Sequence, residues 1–159
     1  MSRTYRASPF TPNRDTVPQA LAHLQATERG IGLRLLVWAG LSVVSGIVLL
    51  GGLAGSMAMG IGVQAVAWGV IDALIAAVGL RGSSRGTNDA ETRRARLVRL
   101  LAVNTVLDIL YIAAGIVIWV SFAENPFISG NGVGVVIQGA FLFIFDLYHT
   151  IAVAHEPKR

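Results

Sequence analysis

Four long apolar blocks, at about 32–53, 61–80, 100–122 and 133–154, constrain this chain more than any other feature. Each is close to the ~20 residues that a helix needs to cross the hydrocarbon of a bilayer. The chain is 53% hydrophobic and 14% charged over 159 residues, too little polar surface for a soluble domain of that size. The expected fold is therefore all-α: a polytopic membrane protein built as a four-transmembrane-helix bundle, preceded by a short amphipathic cytoplasmic helix. Three parts follow from this reading: an N-terminal tail and helix over 1–31, the membrane domain over 32–154 and a tail over 155–159.

Charge placement orients the bundle. Of the 13 Lys and Arg residues, Arg3, Arg6, Arg14, Arg29 and Arg34 precede or open the first block. Arg81, Arg85, Arg93, Arg94, Arg96 and Arg99 lie between the second and third, and Lys158 and Arg159 end the sequence. The connections at 54–60 and 123–132 hold no basic residue, and Glu124 is their one charge. By the positive-inside rule, both termini and the middle connection are expected on the cytoplasmic side of an inner membrane. Residues 1–30 are polar and lack the apolar stretch of a signal peptide. The arginines at 81–99 read as a topology determinant: Asp89 and Glu91 dilute them, and no aromatic ring there offers a base a stacking surface. A nucleic-acid partner is not expected.

Local signals refine the outline. Residues 1–15 read as an irregular basic tail. Thr16 is placed to cap a short helix with Pro18 near its first turn. Leu21 and Leu24 give that helix an apolar face, and Gly30 and Gly32 are expected to end it. Asn88 with Glu91 resembles a capping box for a helix that continues into the third block. Gly130, Gly132 and Gly134 read as an external turn and helix start. The glycines of the first block and its exit (Gly40, Gly46, Gly51, Gly52 and Gly55) offer close-packing surface for a homo-oligomer or a membrane-protein partner. Gly60, Gln64 and Asp72 recur 74 residues later as Gly134, Gln138 and Asp146, the pattern of a duplicated hairpin.

The chemistry-bearing residues lie inside the apolar blocks. Asp72, Asp108 and Asp146 each stand about eight residues from the basic end of their block, or about 12 Å deep at 1.5 Å per residue. Helical periodicity puts Asn104, Asp108, Tyr111 and Gly115 on one face of the third block. It puts Gly139, Leu142, Asp146 and His149 on one face of the fourth, and Arg34, Trp38, Ser42 and Ser45 on one side of the first. The small residues Ala65, Gly69, Ala73 and Ala77 turn Asp72 toward the bundle interior.

Three readings of this cluster stand at this point. In the favoured one, the aspartates hydrogen-bond across helices to Gln64, Asn104, Gln138, Tyr111 and His149, and the protein is a structural or accessory membrane component. In the second, Asp72, Asp108 and Asp146 serve a small-cation or proton-coupled carrier, since carboxylates and amides are hard oxygen ligands. The third, a metal or haem bundle, lacks the Glu-x-x-His pairs of di-iron proteins. Arg34 is expected to snorkel toward the interface rather than pair.

No catalytic residue or cofactor is implied. The chain has no cysteine, which excludes thiol catalysis, disulfides and thiolate-held clusters. Ser42 and Ser45 have no local His or Asp for a triad.

Three stretches carry a family resemblance: Gly60-x-Gly62-x-Gln64-x3-Trp68-Gly69-x2-Asp72, Asn104-x3-Asp108-x2-Tyr111, and Gln138-Gly139-x-Phe141-x4-Asp146-x2-His149. The pattern resembles a family of small, uncharacterised bacterial four-helix integral membrane proteins, over about residues 30–150. The resemblance implies the four-helix fold and no activity. It differs from the small multidrug carriers, which place an essential Glu in the first span. The first block here has no acid.

Overall fold

The computed structural model describes residues 16–51, 55–83 and 89–155. The expected basic tail at 1–15, the Asn88 cap and the tail beyond His155 lie outside the described residues. Four α-helices make up the fold: α1 (Thr16–Leu50), α2 (Gly55–Ser83), α3 (Ala90–Ser121) and α4 (Pro126–His155). The shortest has 29 residues. At 1.5 Å per residue that is about 43 Å, longer than the ~30 Å hydrocarbon layer. All four are long and apolar enough to cross a membrane.

The helix ends follow from local chemistry. Gly51 closes α1, its N–H donating to the Ile47 carbonyl at 3.0 Å. Gly55 sits at φ +61°, a left-handed conformation that glycine adopts without a Cβ clash, and α2 begins there. Asp89 caps α3: its carboxylate accepts from the Glu91 N–H at 3.1 Å and from the Thr92 hydroxyl. Asn125 caps α4 by accepting from the Ile128 N–H at 3.2 Å, and Pro126 fills the first helical position. Gly130, Gly132 and Gly134 therefore lie within α4 and do not form the expected turn.

The expected break at Gly30 and Gly32 is also absent. α1 runs through both glycines as one helix of 35 residues. Interior glycines cost up to ~1 kcal/mol each, and packing offsets this. Gly32 lets Leu80 approach to 3.0 Å of where a Cβ would stand. Leu24, Ile31 and Leu35 on either side are buried. Near this end Ile31 joins Leu101 and Val153 in a cluster flanked by Leu97, Val98 and Phe145.

Backbone packing is closest for α1 with α2, for α3 with α4 and for α2 with α4. Glycines make these approaches possible. A Cβ on Gly46 would meet the Gly62 carbonyl oxygen at 2.7 Å, and one on Gly62 would meet the Gly46 oxygen at 2.9 Å. Gly69 is held as tightly against Ala39 and Val43, and Gly115 against Gly132 and Val136. Gly46 is thus used inside the bundle, while Gly40 has nothing near it. α2 and α4, the helices that carry the sequence repeat, join the two hairpins.

Burial is inverted relative to a water-soluble fold. Val37, Val48, Leu74, Val78, Val120 and Ile144 are exposed. Ser42, Asp72, Asp108, Ser129, Gln138, Asp146 and His149 are buried. Large apolar side chains facing outward along whole helices suit a lipid environment, where they need no protein cover.

Candidate functional site

Three helices supply the buried carboxyls. Asp72 of α2, Asp108 of α3 and Asp146 of α4 are 1%, 3% and 6% exposed. They are near enough to act on one another electrostatically: Asp108 on Asp72, and both Asp108 and Asp72 on Asp146. Asn104, one turn before Asp108, hydrogen-bonds the Asp146 carboxyl. Asp72 Oδ2 and Asp108 Oδ2 are buried with no hydrogen-bond partner among the described residues. Among those same residues, no group of three or more His, Cys, Asp or Glu side chains is placed to hold a metal ion.

The amides go elsewhere. Gln64 does not bond an aspartate; its Nε2 donates to Asn131 Oδ1 at 2.9 Å and links α2 to α4. Asn131 in turn donates to the Phe127 carbonyl at 2.8 Å. Gln138 likewise turns to α1. Its Oε1 accepts from the Trp38 indole N–H at 3.0 Å, and its Nε2 donates to the Ser42 hydroxyl at 3.3 Å. Tyr111 is partly exposed and sets its ring edge-on to Trp68, with centroids 5.0 Å apart. Ser45 bonds back to the Leu41 carbonyl of its own helix.

His149 also stands apart from the aspartates. Arg34 Nη1 lies 3.2 Å from His149 Nε2, so Arg34 turns to α4 instead of snorkelling as expected. Because an arginine only donates, Nε2 accepts. The proton is then on Nδ1, which donates to the Phe145 carbonyl at 2.7 Å. Arg34 and Trp38, one turn apart on α1, meet His149 and Phe141 on the antiparallel α4. The Trp38 and Phe141 rings stack with centroids 3.6 Å apart and planes 8° from parallel.

The expected constellation is therefore two groups, with Tyr111 in neither. Asp72, Asp108, Asp146 and Asn104 form an acidic core. Gln64, Gln138 and His149 belong to α2–α4 and α1–α4 contacts. Sequence reasoning missed Asn131 as the partner of Gln64. Periodicity puts Arg34, Trp38 and Ser42 on a shared face, and α4 is the helix that meets it.

Fold and site together define a class: an all-α protein of four membrane-capable helices around a buried polar interior. The chain belongs to a family of unknown function, DUF6992, whose model matches residues 34–147. That stretch contains Asp72, Asp108, Asp146 and all the amides above. No curated protein matches the chain. No solved structure matches it either.

Proposed function

We propose that this protein is a non-catalytic, multi-pass component of a bacterial inner membrane, in which buried polar side chains fix how the helices pair. Both termini and the α2–α3 connection lie on the cytoplasmic side, because that end carries the arginines. The observation that carries this reading is how the interior amides are used. Gln64 and Gln138 each spend their hydrogen bonds on another helix. Interhelical bonds of this kind average ~0.6 kcal/mol, modest as stability but selective for one pairing. A membrane-protein partner or a second copy would then meet the exposed apolar faces of the outer helices.

A second reading has its own observation. The unpartnered oxygens of Asp72 and Asp108 are what a proton or a small cation would satisfy. A carrier built on Asp72, Asp108 and Asp146 would use them. The lack of a metal-holding group of side chains among the described residues favours the structural reading over a divalent-cation site.

Purified protein in proteoliposomes decides between them. The structural reading expects no flux of protons, Na⁺ or K⁺ above empty vesicles. It also expects a melting temperature that Asp72→Asn and Asp108→Asn change without altering any cation response. A flux that either variant abolishes while the protein stays folded would overturn it.

A further inference from the structure

An open groove that the acidic core does not use runs along α4 beside its contact with α1. Arg34, Phe141, Ile144, Phe145, Tyr148 and His149 line it, with a volume of about 430 Å³. We propose that this groove binds one phospholipid with an anionic headgroup, the phosphate at Arg34, which His149 holds in position, and an acyl chain along Phe145 and Phe141.

Depth supports this first. With the first apolar block starting near 32 and the fourth ending near 154, Arg34 and His149 lie about 3 and 8 Å inside the hydrocarbon boundary. That is the level of the first acyl carbons, just below the headgroup phosphates, which the long Arg34 side chain reaches from there. Phe141 lies about 20 Å in by the same measure. The groove therefore runs along the path of a lipid tail, and it opens sideways. Ile144 and Tyr148 are 67% and 61% exposed on its rim. A water-soluble ligand would not reach this flank of a membrane helix.

Charge supports it second. The Arg34 guanidinium carries five N–H donors in a planar fork that matches phosphate oxygens. One donor goes to His149. Among the described residues no carboxylate is in ion-pair contact with Arg34, so none of them neutralises its positive charge at the groove mouth. His149 is held in place by its bond to the Phe145 carbonyl and by ring contact with Phe145 at 4.3 Å. The floor is rigid too: Phe141 is clamped by Trp38 and neighbours Phe145 at 5.7 Å. An anionic headgroup supplies the missing charge, and the aromatic wall gives the chain a fixed surface.

Native mass spectrometry of the detergent-purified protein, incubated with phosphatidylglycerol or phosphatidylcholine of identical chains, tests the assignment. Wild type is expected to retain one phosphatidylglycerol with about fivefold preference, the worth of one arginine at a membrane surface. Arg34→Gln should remove the preference, Arg34→Lys should keep part of it, and Arg96→Gln at the same end of the bundle should leave it intact. Ile144→Trp fills the groove from the exposed rim without touching the core, and should block lipid of either kind. Equal retention of the two lipids by wild type would overturn the proposal. So would a preference that survives Arg34→Gln, or one that Arg96→Gln lowers as much. Loss of retention in Arg34→Gln with normal retention in Ile144→Trp would place the lipid elsewhere.

Discussion

Arg93 grips Glu28 with two parallel donors, Nε to Oε1 at 2.8 Å and Nη2 to Oε2 at 2.5 Å, tying the first turns of α3 to α1 across 65 residues of sequence. The two side chains are 10% and 16% exposed, so solvent screens the pair only in part. Beside it Arg94 donates to the Val153 and Ala154 carbonyls, both at 2.9 Å, and so closes the end of α4. The start of α3 thereby holds both α1, at Glu28, and the last turn of α4. Removing either member should cost about 1 kcal/mol and loosen α1 before its apolar block. Glu28→Gln and Arg93→Ala should each speed proteolysis near Arg29 and lower the melting temperature by a few degrees. A double-mutant cycle should return a coupling of similar size. Additive effects would show that the two residues act separately.

The glycines divide into two kinds with opposite expected effects. Gly130 packs so closely on the Met57 backbone, and Gly60 on the Phe127 carbonyl, that a methyl group has no place at either. Gly130→Ala and Gly60→Ala should push α2 and α4 apart and cost on the order of 1–3 kcal/mol, as overpacking does. Gly40 has nothing within 4 Å of its missing Cβ. Gly40→Ala should be neutral or stabilising by up to ~1 kcal/mol, from helix propensity alone. Melting curves of the three variants in one detergent check this. A Gly40→Ala protein as unstable as Gly130→Ala would mean that Gly40 packs against another molecule.

Much of this fold was legible because apolar block length is a strong signal and helical periodicity a reliable one. Each of the four blocks became a helix, and the depth argument grouped Asp72 with Asp108 and Asp146 before any contact was known. Periodicity reports which residues share a face. It does not report the order of helices around the bundle or their axial register. For that reason periodicity points Gln64 to the aspartates and not to Asn131. The boundaries failed for a different reason. Gly30, Gly32, Gly130, Gly132 and Gly134 read as breaks by intrinsic propensity, yet Gly32 and the three α4 glycines stay helical because neighbouring residues pack where a Cβ would be. The true start of α4 was written in Asn125-Pro126, a cap followed by a first-turn proline.

Asp89 gives the start of α3 a defined pH dependence. The Thr92 hydroxyl, then the Glu91 N–H, hydrogen-bond its carboxylate and hold it below the ordinary carboxylate range. The folded value lies under the unfolded value of ~3.9, so the cap's contribution is complete above that pH. It fades as pH falls through the lower folded value. The first turn, Ala90–Arg93, should therefore be intact from pH 7 to about 4.5 and fray only below ~4. Asparagine caps nearly as well and does not titrate, so Asp89→Asn should keep the turn at all pH values. Asp89→Ala should fray it throughout. Backbone chemical shifts of residues 90–93, followed by NMR in detergent micelles, separate the three cases. Fraying of wild type already at pH 6, or acid fraying of Asp89→Asn equal to wild type, would assign the pH response to another group.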